Sequence, residues 1–316
     1  MTASHSSSEP AIRAEGLTKH FGSLTAVDGF SLEVAQGEAF ALVGPDGAGK
    51  TTSMRLLVGI MDPDGGRAEV LGCDTVKDSE RLKERIGYMP QRFGLYDDLT
   101  VLENLIFYAD IYGVSQGERK DRLPELLGFS NLTPFQDRLA GNLSGGMRQK
   151  LGLACALIHT PRVLFLDEPT FGVDPVSRRE FWHILYQLLG TDMTIFVTTA
   201  YMDEAERAHR IGLMHRGRLL VADKLAHLKA RYLGELLEVR ADDLHAAKKL
   251  LADFPLARHL LAMGDRLMVT VDNQAQAQMP IQETLEGAGL TRVCVALAEP
   301  GLEDLFAQLV GASSEQ

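Results

Sequence analysis

Residues Gly44 to Thr52 read GPDGAGKTT, a glycine-rich run closed by a lysine and two threonines. Gly44, Gly47 and Gly49 let the main chain turn tightly enough to aim its N–H groups at phosphate oxygens. Pro45, Asp46 and Ala48 fill the loop between them, and Thr52 completes the run. Lys50 can neutralise β and γ phosphates, and the Thr51 hydroxyl can ligate Mg²⁺. AFALVG (39–44) reads as a buried strand before the loop, and the residues after it read as a helix whose positive N-terminal end adds to the attraction for phosphate. VLFLDEP supplies a second constellation: Val163 to Leu166 are apolar enough for a central strand, and Asp167 and Glu168 stand at its polar end. Neighbours on a strand point to opposite sides, so the two carboxylates are expected to do different work. Asp167 is placed for the water-mediated shell of Mg²⁺, and Glu168, one step nearer the γ phosphate, for polarising the attacking water. The chemistry implied is hydrolysis of a nucleoside triphosphate.

The elements that must position these groups alternate. RAEVLG (67–72), RIGYMP (85–90), VLFLD and MTIFVTT (193–199) have strand character, and the helix between the last two starts at Asp174-Pro175, an N-cap followed by proline. Strands alternating with helices of this size predict a largely parallel α/β core. Between Gln91 and Pro161 the pattern turns helical, with Thr100 as an N-cap, which predicts an inserted helical subdomain over about 92–160. IGLMHRGRLLVAD centres a hairpin on His215-Arg216-Gly217, and residues 223–231 read as a short helical join. From Tyr232 onward LLEVRA, DDLHAAKKLLADF, HLLAM, RLMVTVD, MPIQETLEGAG, TRVCVAL and LEDLFAQLV give a βαββαβ order with a last helix, a small two-layer α+β domain over 232–316. That extension holds no chemical motif, and packing or dimerisation is its simplest use.

Composition narrows the classes. The 316 residues have 45% apolar and 24% charged side chains, enough for sizeable cores. A net charge of -11 argues against wrapping a nucleic acid backbone, so no nucleic acid partner is expected. Cys73, Cys155 and Cys294 lie too far apart in sequence for a disulfide framework or a metal cluster, which suits a reducing compartment. Residues 1–10 read as a polar, disordered tail without a secretory signal, and no apolar run approaches the roughly 20 residues of a membrane span.

LSGGMRQK (143–150) places Ser144, Gly145 and Gly146 ahead of a helix whose free N–H groups could hold a phosphate. Met147, Leu151, Cys155 and Ile158 share one face of that helix, so Cys155 reads as core. With YMPQ at 88–91, LDEP and GVDP, the glycine loop and this signature follow the order and spacing of ATP-binding cassette (ABC) proteins, which residues 11–222 resemble. The resemblance implies a P-loop NTPase cassette that binds ATP and Mg²⁺, with Glu168, Gln91 and Lys50 as its catalytic groups. Thr51, Gln91 and Asp167 would serve the metal. It further implies that Phe21 stacks on adenine and that Asp174 lies in the loop coupling two sites. Two cassettes would join head to tail, each ATP lying between one chain's 44–52 loop and the other's Ser144 to Gly146. The resemblance also implies an integral membrane permease as partner, a cytoplasmic position on the inner face of the plasma membrane and, in the subgroup it is most like, an optional periplasmic adaptor. GPDGAGKTT, GLYDDLTVLENL and the LEDLF ending resemble subunits of multidrug-type exporters. One departure stands out: where the family ends the strand after LDEP with a histidine, this chain has Ala200, and a methyl group handles no proton. A slower hydrolysis is expected, and His209 and Tyr201 are not placed to substitute.

Two other classes fit less well. Non-transport translation factors of the same superfamily join two cassettes through a charged linker, and DNA-repair members split theirs with a long coiled coil; neither feature occurs here. A regulatory cassette that binds ATP and turns it over weakly is the alternative that Ala200 favours.

Overall fold

The computed structural model describes residues 9–314, and the expected tail over 1–10 lies outside them except for Glu9 and Pro10. The chain divides into two compact units between Lys224 and Leu225.

The first unit opens with β1 (Ile12–Phe21) and β2 (Leu24–Val34), then β3 (Ala39–Val43), α1 (Lys50–Leu57), β4 (Gly65–Val70), β5 (Cys73–Asp74), α2 (Ser79–Lys83) and β6 (Ile86–Met89). The helical insertion follows as α3 (Val101–Ile111), α4 (Gln116–Phe129), two 3₁₀ turns and α5 (Gly145–Ala156). β7 (Val163–Asp167), α6 (Pro175–Leu189), β8 (Thr194–Thr199), α7 (Met202–Ala205), β9 (Arg210–His215) and β10 (Arg218–Asp223) complete the unit. The central sheet runs β10-β9-β3-β8-β7-β6, parallel from β9 to β6 with β10 antiparallel at one edge. Strands β3, β7 and β8 are buried along their whole length, so none alternates apolar with polar residues: β3 is a continuous apolar run, β7 is one up to Asp167, and β8 mixes apolar residues with buried threonines. Phe40, Phe196 and Phe165 stand in register on β3, β8 and β7, with ring centroids 5.4 and 5.7 Å apart. Removing the central ring would cost about 3–5 kcal/mol.

A second sheet, β2-β1-β4-β5, is antiparallel and was not foreseen. Its long hairpin carries register shifts near Leu17 and Lys19 that break the alternation of apolar and polar residues a strand reading depends on. The helix starts at Thr100 and Asp174 are as expected, and Ser115 provides a further one. Thr100 closes a reciprocal capping box with Glu103, Ser115 another with Glu118, and Asp174 accepts from the amides of Val176 and Ser177 ahead of Pro175. Asn104, fully buried, accepts from Tyr96 N and donates to the carbonyls of Tyr96, Leu99 and Thr100, so one side chain fixes the turn that enters α3.

The second unit comprises α8 (Leu225–Lys229), β11 (Glu235–Arg240), α9 (Leu244–Ala252), β12 (Ala257–Met263), β13 (Arg266–Val271), α10 (Gln274–Gly287), β14 (Cys294–Ala298) and α11 (Leu302–Ser314). Its sheet is β12-β13-β11-β14, antiparallel throughout, in the expected βαββαβ order. Leu237, Val239, Leu267, Val269 and Val271 pack against Ala247, Leu251, Ala277, Ile281 and Leu285 of the two helices. Helix α10 starts at Gln274, capped by Asn273, before the expected MPIQ segment, and Pro280 sits inside it. Leu228 of α8 is fully buried, and α8 lies against α11. Among the described residues no helix is long and apolar enough to cross a membrane.

Candidate functional site

The glycine loop joins the end of β3 to α1, and two of its glycines answer to close approach. A Cβ on Gly44 would meet the carbonyl oxygen of Met214 on β9 at 2.2 Å, and one on Gly49 would meet that of Ala26 at 2.3 Å. Gly47 and Gly49 also have φ of 76° and 104°, in the region that favours glycine. Helix α1 has no side-chain N-cap, and the amides of Gly47, Gly49, Lys50 and Thr51 bond no backbone acceptor among the described residues. Those groups are free for an anion, as the sequence requires of them.

Lys50 is buried, and its ammonium uses all three protons. It donates to Gly44 O at 2.8 Å and Pro45 O at 3.1 Å, and pairs with Glu168 Oε1 at 3.0 Å. The other carboxylate oxygen of Glu168 accepts from Gln91 Nε2 at 3.0 Å. Asp167 is 1% exposed, and its Oδ1 accepts from Thr51 Oγ1 at 3.0 Å and from Thr198 Oγ1 at 2.6 Å. The expected divergence of the two acidic residues is real, but strand alternation is not its cause. β7 ends at Asp167, and Glu168 has already left the strand with φ of 47°, which turns its carboxylate toward Lys50.

These groups open onto a cavity of about 700 Å³ lined by residues 46–52, Gln91 and Glu168. Phe21 forms part of its wall at 48% exposure, which excludes a core role for the ring and leaves its face free for a planar group. Sequence reasoning missed Thr25, Ala26, Phe171 and Arg216, which also line the cavity. In sequence Arg216 is only the centre of a hairpin turn, where it does sit, at φ of 46°. Thr198 was missed too: in a buried strand a threonine reads as β-branched filler. A larger cavity, about 880 Å³, is lined by Gln36, Arg122, Arg162 and Met193 and contains none of the chemistry-bearing residues.

Ser144, Gly145, Gly146 and Asp174 do not line the 700 Å³ cavity. Ser144 is exposed and caps α5, its Oγ accepting from Met147 N at 3.4 Å. Gly146 lies where a Cβ would meet the Ser177 side chain at 2.6 Å, so α5 and α6 touch there. Asp174 spends its carboxylate on the start of α6, and the hydrogen bonds from Ser177 hold its pKa below the ordinary range. Cys155 is core, and burial pushes its thiol well up. Ala200 follows the end of β8. His209 accepts from Ala39 N at 3.0 Å, at the start of β3 rather than at its loop end, and the ring of Tyr201 lies 4.6 Å under the Arg178 guanidinium. Neither stands in for a histidine at position 200.

Among the described residues no three His, Cys, Asp or Glu side chains gather as a metal cage. Thr51 and Asp167 are hard oxygen ligands side by side at the glycine loop. That suits Mg²⁺, which takes one or two protein oxygens and completes its shell with phosphates and water.

A parallel sheet whose strand ends carry a glycine loop, a buried lysine and paired acidic residues defines a P-loop nucleoside triphosphatase fold. The family model for ABC transporter matches residues 27–171. The chain is 40% identical to the probable multidrug ABC transporter ATP-binding protein YbhF of Escherichia coli (strain K12), over 96% of this chain and 53% of YbhF, so it spans about half the length of that relative. It is 38% identical to the Nod factor export ATP-binding protein I of Ralstonia nicotianae, covering 96% of this chain and 95% of that one. It is 35% identical to the daunorubicin resistance ATP-binding protein DrrA2 of Streptomyces coeruleorubidus, over 96% of each. Among solved structures it resembles an ATP binding subunit of an ABC transporter (TM-score 0.64, 27% identity, 70% of this chain and 92% of that one). It also resembles the dimeric ATP-binding cassette MJ0796 in a post-hydrolysis state with ADP and Pi (TM-score 0.62, 26% identity, 68% and 98%). The chain belongs to the ATP-binding proteins of the ABC transporter family.

Proposed function

We propose that this chain is the ATP-binding and ATP-hydrolysing motor subunit of an ABC exporter. The observation that carries the proposal is the convergence of Lys50, Gln91, Asp167 and Glu168 at the loop end of the parallel sheet. Residues 44–52 take the phosphates, with Phe21 offered to the base. Thr51, Asp167 and Gln91 would hold Mg²⁺, which when bound neutralises phosphate charge. Lys50 exchanges its bond to Glu168 for one to phosphate, which frees that carboxylate to accept a proton from the attacking water while Gln91 orients it.

Membership of the family supports the partners proposed next. A second cassette, an identical copy or a paralogue, presents Ser144, Gly145 and Gly146 to the bound nucleotide, and Asp174 couples the two sites. An integral membrane permease receives the motion, which places the subunit on the cytoplasmic face of the inner membrane. The relatives' names, which speak of multidrug transport, Nod factor export and daunorubicin resistance, support a role in efflux; a periplasmic adaptor is proposed as a further component. Residues 11–222 carry the motor, residues 223–231 are a join, and the part from Tyr232 is an accessory domain; a boundary between the two compact units at Lys224 and Leu225 supports that division.

The test is steady-state phosphate release by the wild type and by Glu168→Gln. Turnover that falls by about 100-fold or more supports the general-base assignment; a variant that keeps the wild-type rate sinks it. Ala200 favours a second reading, a regulatory cassette with weak hydrolysis. Turnover restored only by mixing with another cassette subunit would select that one.

A further inference from the structure

Thr198 is fully buried on β8, and its hydroxyl touches both acidic residues of the site. Oγ1 donates to Asp167 Oδ1 at 2.6 Å and accepts the N–H of Glu168 at 3.0 Å, and the carbonyl of Thr198 accepts the same N–H at 3.1 Å. A hydroxyl has one proton and two lone pairs, so both bonds form together and their directions are fixed. We propose that Thr198 is the positioning residue of the hydrolytic site: it sets the Asp167 carboxylate for the metal and holds the Glu168 main chain in the conformation that aims its side chain at Lys50 and Gln91. The proposal rests on the ATPase reading above.

Two features support it. Asp167 Oδ1 has two donors, and one of them, Thr51, is the hydroxyl that bound Mg²⁺ would claim. Thr198 has no competing task and keeps the carboxylate oriented when Thr51 turns away. Glu168, meanwhile, is a non-glycine residue at φ of 47°, a conformation that persists only where the surroundings over-determine it. The surroundings do so from both sides. Ahead of it the amide is held by Thr198. Beyond it Thr170 Oγ1 donates to both oxygens of buried Glu204, at 2.7 and 2.8 Å, and Thr199 Oγ1 donates to the same carboxylate at 3.1 Å. The end of β8 therefore grips the Glu168 turn at two successive hydroxyls, of which only Thr198 reaches the acidic pair.

Thr198→Val removes the hydroxyl at nearly constant volume, and Thr198→Ser keeps it. For both variants and the wild type we would measure kcat and KM for ATP, ADP affinity by calorimetry with and without Mg²⁺, and thermal unfolding without nucleotide. Thr198→Val should keep its fold and its metal-free ADP affinity. It should lose about 10-fold or more in kcat, with little change in KM, as expected when an orienting hydrogen bond is removed. The factor by which Mg²⁺ strengthens its ADP binding should shrink. Thr198→Ser should recover both. A valine variant with wild-type kcat and Mg²⁺ enhancement overturns the proposal, as does a serine variant as impaired as valine, since packing of the methyl would then explain the loss. A wild type without turnover refutes the ATPase reading alone, because the comparison of ADP binding with and without Mg²⁺ still reports on Asp167.

Discussion

Replacing Glu168 by glutamine should make the nucleotide-free protein less stable while making it bind nucleotide more tightly. The three protons of the Lys50 ammonium meet two carbonyl oxygens and one carboxylate, and the carboxylate partner is the only one that carries charge. Both side chains of the pair are at least nine-tenths buried, so water does little to screen it. Breaking a buried pair outright costs about 3–5 kcal/mol. Glutamine keeps an oxygen that can accept from the ammonium, and the two carbonyls remain, so about 2 kcal/mol is the expected loss. In a unit of this size 1 kcal/mol moves the melting temperature by about 2–4 °C, so the variant should melt about 4–8 °C lower. The same pair must break when Lys50 turns to phosphate. Its absence should therefore return up to about 2 kcal/mol to binding, a gain in affinity of roughly 30-fold. ADP is the ligand to use, because it lacks the γ phosphate to which the proposed pairing of two cassettes is assigned. Scanning calorimetry without nucleotide and titration with ADP read the two effects on one sample. A variant with wild-type melting and wild-type ADP affinity would refute the idea that the resting site is locked by its own ion pair.

Ala200→His should raise kcat by about 10-fold if the imidazole gains one charge-assisted hydrogen bond in the transition state, and Glu168→Gln in that background should remove the gain; unchanged phosphate release would show that the pocket refuses the ring. Ser144→Arg should block ATP-driven pairing of the Glu168→Gln protein, read by chromatography with light scattering, and an equally dimeric double variant would remove Ser144 from the interface. A chain ending at Lys224 should fold and bind ATP, whereas one ending at Arg231 retains α8 without α11 and should aggregate more readily, since Leu228 loses its cover. Burial holds the pKa of His159 below its ordinary 6.5, with the Ile86 carbonyl opposing and Arg122 adding to the shift. Its contribution to stability is therefore complete above the unfolded value and is lost as the pH falls below it toward the lower folded one. Melting temperatures at about pH 7.5 and 5.5 should differ less in His159→Phe than in the wild type.

The chemistry was legible in the sequence because it depends on local constraints. A loop position whose Cβ would come within 2.2 Å of a neighbouring carbonyl oxygen admits only glycine, and a strand buried on both faces favours apolar and β-branched residues, so GPDGAGKTT and VLFLD announce themselves. The helix starts at Thr100 and Asp174 were equally readable, since a cap acts within three residues of itself. What escaped depends on distant partners. The β1–β2 hairpin is irregular in register and pairs with β4 some 50 residues away, so no short window shows it. Arg216 reaches the cavity from the β9–β10 turn, which carries no phosphate motif, and Phe171 from just beyond LDEP, where an aromatic residue carries no signal of its own. Thr198 looked like strand filler until β8 was placed beside β7, and Glu168 looked like a strand residue until its left-handed φ was seen.

These contacts bear on how a site built for a highly charged ligand can exist before that ligand arrives. Isolated buried charges would be costly, yet here Lys50, Asp167 and Glu168 are all buried and all bonded, linked through Thr51, Thr198 and Gln91. Under the proposed function, nucleotide binding would be an exchange of partners rather than the filling of a void. Phosphate would take Lys50 from Glu168, and Thr51 and Asp167 would be the groups to hold the metal. The carboxylates so released would be the proposed base and the proposed metal-facing group. Thr198 changes neither partner, which is why the pair can be freed electrostatically while staying fixed in place. The resting bonds thus hold in place, without a ligand, the arrangement that the proposed hydrolysis would use.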